Sequence, residues 1–452
     1  MSDFPATVWP TSERRYTSFD GGTTLETRCF VPDRYRFWDT GSGQAGISRG
    51  AGFSYSPASF SKSLPSVEHC RFNRLLDFDS ERKILEVETG ATLEQIYRFA
   101  ERRGLFLSVQ PGHPKITVGG CIGADVHGKN QFRDGTFLAV VESLRLFHPS
   151  HGLLELSRSN NPEIFFLTCG GYGLTGNILT VRLRLTPVAS PNVRLEMVPV
   201  ENILEFAGKL ANAGAQNELV YSWHDFTARG AGFGRGMMVV GNFANEVSPF
   251  AAAPASKAVS RLDSAKRGLL PFSLFNRLTT PIFNRMYHAW LKQGSNKKLI
   301  SLYEFLFPVR SKEAYFYWFG ASGFHECQII VEAERFNSFV SEIQDRLARQ
   351  PVAVTLASAK LFRGQRELLR FTGDGICFTL NFPRDQPGAA FACFLDDLML
   401  RHGGWPNLIK DSRLSADVVN AAYPECGQFR ERLWAYDPQR LYRSELSERI
   451  RL

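Results

Sequence analysis

Residues 110–135, QPGHPKITVGGCIGADVHGKNQFRDG, constrain this chain more than any other stretch. Gly119, Gly120, Gly123 and Gly128 stand among small and β-branched residues, and the run closes on the polar set Asp125, His127, Lys129 and Asn130. Glycine at this density frees the backbone for positive φ, or strips away side chains so that another molecule can lie against the main chain. Exposed N–H groups in such a run suit a pyrophosphate. The run contains neither GxGxxG opening a helix nor GxxxxGK[ST], which excludes a Rossmann fingerprint and a P-loop. A plain glycine-rich turn in a β domain is the competing reading. Two further clusters, RGAGFSY at 49–55 and TCGGYGLTGN at 168–177, flank it.

Around these clusters the pattern is that of short strands with few helices. One strand is expected near 28–32, a second from 47 into a glycine turn at 55, and loop over 56–72. KILEVE at 83–88 reads as a strand. Thr92 caps the following helix with Gln95 as its capping-box partner. Leu93, Ile96, Tyr97 and Ala100 share one face, and Gly104 ends the helix. A short strand at 105–109 follows, then a hairpin from 141–147 and 153–157. Leu179, Val181, Leu183 and Leu185 alternate with Thr180, Arg182 and Arg184. Pro187 and Pro191 then place a domain boundary near 190.

Beyond 190 a strand–helix–strand–strand order appears twice. Strands at 195–200, 219–226 and 236–243 flank a helix at 203–213. Strands at 327–332, 352–362 and 376–382 flank a helix carrying Phe336, Phe339, Val340, Ile343 and Leu347 on one face, with another helix at 389–402. This predicts an α+β fold with one antiparallel sheet backed by helices. From Trp405 a strand, a polar turn and one final helix are expected.

Between the halves, residues 252–312 interleave Lys257, Arg261, Lys266, Arg267, Arg277, Arg285, Lys292, Lys297, Lys298, Arg310 and Lys312 with Leu269, Leu270, Phe272, Phe275, Ile282, Phe283, Met286, Tyr287, Trp290 and Leu291. Such a mixture can lie on an anionic bilayer surface, or form a helical insertion with a solvated basic face. The net charge of +8 suits an anionic ligand or membrane, and no nucleic-acid-binding pattern accompanies it. The eight cysteines contain no CxxC spacing, which points to reduced thiols and excludes a zinc site. The N-terminus lacks an apolar signal core, and no apolar run is long enough to span a bilayer. A cytoplasmic protein, in peripheral contact with a membrane at most, is expected.

RGAGFSY, GGCIGADVHGKN and GGYGLTG, with PGHPKITVGG, together resemble the PCMH-type flavin domain of the vanillyl-alcohol-oxidase superfamily of FAD oxidoreductases. HGKN at 127–130, KDSR at 410–413 and the closing Asp437-Pro438 through Ser444 and Arg449 are similar to motifs of its decaprenylphosphoryl-ribose 2′-oxidase branch. The resemblance implies an FAD-binding domain over 1–190, a substrate domain over 191–404 and a return to the flavin domain over 405–452. It implies that FAD is surrounded by Arg49, Gly50, Ala51, Gly52, Phe53, Ser54 and Tyr55; by Pro111, Gly112, Thr117, Val118, Gly119, Gly120, Cys121, Gly123 and Ala124; and by His127, Gly128, Asn130, Gly173, Thr175, Gly176, Ile178 and Tyr442. Ser54 and Thr117 would donate hydroxyl hydrogen bonds. Lys410 matches the essential active-site lysine, with Tyr55 and His127 beside it. Lys129, Gln328, Lys360 and Thr379 would join Lys410 around the substrate.

Three positions depart from the family pattern. Phe53 replaces the histidine that carries a covalent flavin in many relatives, so FAD is expected to be non-covalent. Thr379 stands where the branch often has a cysteine, and Glu326 where it has a second glutamine of a QxQ pair. Oxidising a secondary carbinol removes a hydride from carbon, taken by flavin N5, and a proton from oxygen. Lys410 could hold the developing alkoxide or a substrate phosphate, or be an ordinary surface lysine beside Asp411. His127 could be a base, a flavin neighbour or a histidine satisfied by backbone. The resemblance implies oxidation of a sugar hydroxyl, on a polyprenyl-phosphate-linked pentose, with a quinone or oxygen as acceptor and a separate reductase as partner if an epimerisation is completed. A soluble sugar-lactone or polyol oxidase and a non-catalytic flavin-binding protein are the alternatives.

Overall fold

The computed structural model describes residues 9–39, 44–244, 270–293, 297–309 and 313–452. Residues 252–269, 294–296 and 310–312 of the basic-apolar segment lie outside the described residues. The first sheet joins the antiparallel strands Thr11–Thr17 and Thr24–Phe30 to Ser66–Glu68 and Ile47–Arg49, which run parallel. Here the sequence reading needs correction. The strand expected near 28–32 begins earlier and ends at Phe30, and the supposed loop 56–72 contains Ser66–Glu68. Three residues are too few to display a period of two, so that strand carries no sequence signal.

The second sheet runs Leu75–Asp79, Ile84–Glu88, Asn177–Arg184, Val141–His148, Gly152–Ser157, with every neighbour antiparallel. The helix Leu93–Glu101 packs beside it with Leu93, Ile96, Tyr97 and Ala100 buried, and both halves of the Thr92–Gln95 capping box form. The opening glycine run is a helix in part: Val118–Gly123 is helical, with Val118, Cys121 and Ile122 buried. Glycine costs roughly 1 kcal/mol against alanine in a helix. Close packing explains its use, because a Cβ on Gly119 would stand 3.0 Å from Thr89 Cβ. The amides of Val118 and Gly119 donate to Ala91 O and Thr89 O, each at 2.8 Å, so these two are committed to the fold.

The largest sheet has eight strands, in the order Lys297–Ser301, Asn192–Val200, Gly236–Phe243, Leu219–His224, Leu356–Phe362, Gly375–Pro383, Phe324–Val331, Trp405–Pro406. All neighbours are antiparallel. The two strand–helix–strand–strand halves thus build a single α+β layer. Helix Ala333–Arg349 buries Phe336, Phe339, Val340, Ile343 and Leu347. Cross-strand register decides what the opposite face carries. Glu326 pairs with Asn381, Gln328 with Thr379, Thr379 with Ser358, and Cys377 with Lys360. With side chains alternating along each strand, this polar set shares one face.

The C-terminal reading also needs correction. After Trp405–Pro406 there are three helices, Ala416–Ala422, Cys426–Tyr436 and Glu445–Ile450, where one was expected. Ser415 caps the first, and Pro424 and Pro438 interrupt the run. The last helix closes on the residues that follow the first glycine cluster: Glu445 N–H donates to Phe60 O and Leu446 N–H to Pro57 O, at 3.0 and 3.1 Å.

Candidate flavin and substrate site

All three glycine clusters open into one cleft of about 200 Å³. Its walls include Arg49, Gly50, Ala51, Gly52, Phe53, Ser54 and Tyr55 from the first cluster. Pro111, Thr117, Gly119, Gly120, Gly123 and Ala124 come from the second, Gly173, Gly176 and Ile178 from the third, and Lys410 from the C-terminal part. Backbone conformation demands glycine at Gly52, with φ +78°, and at Gly176, with φ +138°, where a Cβ would also meet Phe147 O at 2.4 Å.

Gly112, Val118, Cys121, His127, Gly128, Asn130, Thr175 and Tyr442 do not line the cleft. Val118 and Cys121 point into the core. Asn130 is spent on Ser108 O at 3.0 Å and on Asp134, and Thr175 on Thr168 Oγ1 at 3.0 Å. Tyr442 lies behind the floor, where its hydroxyl accepts from Asn177 Nδ2 at 2.9 Å. Asn177 Oδ1 in turn accepts from Ser48 at 2.7 Å and faces His69 Nε2 at 3.2 Å. Ser48 and His69 line the cleft, as do Ala58, Ser59, Thr89, Ile116, Val126, Tyr172 and Ile409. Ile116, Val126 and Tyr172 lie within the quoted motifs but were not assigned, and the others come from strand ends or loops without a motif.

The lining fits an FAD pyrophosphate. A Cβ on Gly50 would stand 2.1 Å from Thr117 Oγ1, so backbone itself forms that wall. Arg49 enters the cleft with its Nη1 donating to Ser59 Oγ at 2.7 Å and its guanidinium 4.2 Å from the Tyr16 ring centroid. Burial pushes its pKa below the usual arginine range. Among the described residues it has no ion-paired carboxylate, so an anion in the cleft relieves a desolvated cation. Thr117 brings a hydroxyl to the same surface, whereas the Ser54 hydroxyl, expected to serve the cofactor, donates to Ser56 O at 2.5 Å and that of Thr89 to Ile178 O at 2.6 Å. At position 53 the Phe ring packs 4.2 Å from the His113 ring and offers no nucleophile.

At one end of the cleft the chain gathers its charged groups. Ser56 N–H donates to Ile409 O at 3.0 Å, which sets the first glycine cluster against the KDSR turn. Lys410 Nζ consequently lies 3.7 Å from the centre of the Tyr55 ring and 3.1 Å from Glu326 Oε1. The turn is hung on the large sheet by Asn407, whose N–H donates to Gln328 O and whose Nδ2 donates to Gln328 Oε1 at 2.6 Å. Arg449 closes it from behind, donating to Ser56 Oγ at 3.1 Å and Leu414 O at 3.0 Å. Ser412 donates to Asp20, which also accepts from Arg384.

His127 reaches this cluster from the HGKN stretch. Its Nδ1 lies 3.1 Å from Gly128 O and its Nε2 lies 3.3 Å from Gln328 Oε1, while Gln328 Nε2 donates to Thr379 Oγ1 at 2.9 Å. Burial, then the charge of Lys360, pushes the imidazole down to about 3. His127 is therefore a neutral hydrogen-bonding group at physiological pH. Lys360 is itself pushed below the usual lysine range by burial, reinforced by the charge of Lys410. Lys129 faces elsewhere: its ammonium donates to the carbonyls of Phe305 and Leu306, the latter at 3.3 Å. Asn407 is a site group that motif reading did not assign, and Glu326 entered that reading only as a departure from the QxQ pair.

Residues 42–157 match the family model described as an FAD binding domain. This protein is an FAD-dependent oxidoreductase, and its flavin domain is similar to those of the PCMH-type, vanillyl-alcohol-oxidase superfamily. It is similar to decaprenylphosphoryl-β-D-ribose oxidase of Mycolicibacterium smegmatis, 27% identical over 418 residues that cover 91% of this chain and 90% of that protein. L-gulonolactone oxidase of Mus musculus is 33% identical over 117 residues, 26% of each chain. L-galactono-1,4-lactone dehydrogenase of Brassica oleracea is 29% identical over 135 residues, 30% of this chain and 22% of that one. A sugar-related oxidoreductase is the activity class these likenesses support. No helix among the described residues is long and apolar enough to cross a membrane.

Proposed function

We propose that this enzyme oxidises a secondary hydroxyl of a sugar carried on a polyprenyl phosphate, a pentose in the first instance. The reading rests on one observation: Lys410 sits at the end of the glycine-walled cleft, against Tyr55 and Glu326, facing a strand surface that carries Gln328, Thr379 and Lys360. Bound FAD supplies the two-electron acceptor for the carbinol C–H bond. In this reading Lys410 holds the oxygen as it gains negative charge, and Glu326 both fixes the ammonium and receives the hydroxyl proton. Neutral His127, anchored by Gln328, orients a sugar hydroxyl. Lys360 supplies a second cation for a phosphate. The likeness to a decaprenylphosphoryl-ribose oxidase over nine-tenths of both chains supports the substrate class.

With Phe53 in the turn, FAD is held by non-covalent contacts and dissociates on denaturation. A quinone or oxygen reoxidises it, and a separate reductase completes any epimerisation. The test is anaerobic reduction of the holoenzyme followed by flavin absorbance. A polyprenyl-phosphoryl pentose is expected to bleach the flavin, whereas aldonolactones and polyols are not. Bleaching by a lactone alone would replace this reading with that of a lactone oxidase.

A further inference from the structure

Apolar exposure on this molecule is concentrated in one place. Of the eleven large hydrophobic side chains that stand exposed among the described residues, eight fall between 272 and 318: Phe272, Leu278, Ile282, Phe283, Met286, Trp290, Leu299 and Trp318. Four of them, Leu278, Ile282, Met286 and Trp290, recur every fourth residue and are 81%, 60%, 65% and 61% exposed. They lie along the helix Thr279–Gln293 and the turn that opens it, where Asn276 Oδ1 accepts from the amides of Leu278 and Thr279. The opposite face of the helix is the packed one, with Thr280, Asn284 and Leu291 buried. On a turn of 3.6 residues the outward stripe is continuous, and Arg285 and Lys292 fall together along one flank of it. Both are exposed, as are Arg277 and Lys298, and none of the four is ion-paired among the described residues. In sequence, Asp263 is the only acidic residue between 252 and 303.

We infer that this face of Thr279–Gln293 docks on an anionic lipid bilayer. An exposed apolar stripe of this extent is unusual on a freely soluble surface. A flank of cations without carboxylates gives it a sign, and an anionic bilayer supplies the complementary charge. Trp290, together with Trp318 stacked 5.9 Å from Phe283, has the amphipathic ring suited to the headgroup boundary. A second copy of the chain fits less well, because it would set the same cations against each other.

The docked face is also joined to the candidate site. Phe283 meets Phe275 at 5.8 Å, Phe275 meets Phe319 at 4.8 Å, Phe319 meets Phe324 at 4.9 Å, and Phe324 meets Tyr55 at 5.5 Å. Resting on the reading of a lipid-linked substrate, this buried ring cluster fixes the docked helix to the Tyr55 end of the cleft, where the sugar would reach Lys410.

Flotation of the FAD-loaded full chain with phosphatidylcholine vesicles, with and without phosphatidylglycerol, tests the docking. The wild type is expected to float with the anionic vesicles, and Ile282→Glu/Met286→Glu to lose at least about tenfold in partitioning. Both substituted positions are solvent-facing, so flavin absorbance and the melting temperature are expected to stay at wild-type values. Failure of the wild type to float would overturn the inference, as would equal flotation with both vesicle types or undiminished flotation of the variant. So would a concentration-dependent dimer that the variant abolishes while flotation persists. Flotation without bleaching by any polyprenyl-linked sugar would leave the docking in place and refute the substrate reading.

Discussion

Removing Lys410 and removing Glu326 are not equivalent perturbations, and the difference follows from burial. The two groups lie 3.1 Å apart, with the Glu326 side chain 6% exposed and that of Lys410 28% exposed. Deleting one partner of a buried pair costs about 3–5 kcal/mol, because the other charge is left desolvated. In Lys410→Met the abandoned carboxylate is almost fully enclosed, so most of that penalty applies, reduced to about 2–3 kcal/mol by the wetter side of the pair. In Glu326→Gln the abandoned ammonium reaches water and keeps the Tyr55 ring at 3.7 Å. A cation–π contact of this kind contributes about 0.5–2 kcal/mol, so the expected cost is nearer 1 kcal/mol. The double variant buries no lone charge and is expected to be more stable than Lys410→Met alone, with a coupling energy of about 1–2 kcal/mol. Melting temperatures of the four FAD-loaded proteins measure the stability cycle, and anaerobic bleaching measures chemistry on the same samples. Lys410→Met should hold flavin and lose bleaching, whereas Glu326→Gln should bleach more slowly. Additive melting shifts, or a double variant less stable than either single one, would refute the pairing as the organising contact of the site.

Two other consequences follow from particular side chains. A Cβ at Gly50 would fall 2.1 Å from Thr117 Oγ1 in the cleft wall, whereas at Gly232 it would meet nothing within 4 Å. Gly50→Ala is therefore expected to weaken FAD retention at least about tenfold, about 1.4 kcal/mol, and Gly232→Ala to leave it unchanged; equal retention in a fluorescence titration would contradict the cleft assignment. Burial pushes His69 and His224 down to about 4 and His325 to about 3, so these rings are neutral in the fold and take up protons on unfolding. Stability from this source is complete above about pH 6.5 and lost as pH falls toward 4. The expected loss is about 2 kcal/mol per ring at pH 5. A melting temperature unchanged between pH 7.5 and pH 5 would exclude it.

What the sequence made legible divides by range. The capping box at Thr92, the hairpin around Gly152 and the apolar face of Ala333–Arg349 are local, and each is where periodicity placed it. Ser66–Glu68 was hidden by its length, and the two extra C-terminal helices by a polar stretch whose breaks are prolines. The cleft was legible because glycines announce a backbone surface wherever they cluster. The assembly of the site was not, because it is made by contacts with no local trace. Ser56 reaches Ile409, Arg449 reaches Ser56, and Gln328 holds both His127 and Asn407. A motif can name Lys410, but only the sheet register reveals that Glu326 stands opposite it.

That register also orders the departures from the family pattern. Phe53 belongs to the flavin wall, and its ring removes a nucleophile while the glycines that form the cleft remain. Glu326 and Thr379 belong to the polar strand face opposite Lys410, on neighbouring strands two residues out of step. A carboxylate at 326 changes what that face accepts: it neutralises Lys410 in the absence of substrate and adds an acceptor where a carboxamide would both donate and accept. Thr379 keeps a hydroxyl that is engaged by Gln328, where a thiol would be a far weaker acceptor. Two of the three changes therefore alter hydrogen bonding on the strand face opposite Lys410 and lie outside the cleft lining. In the proposed reading the glycine walls of the cofactor cleft are kept, and the departures fall on the face offered to the sugar.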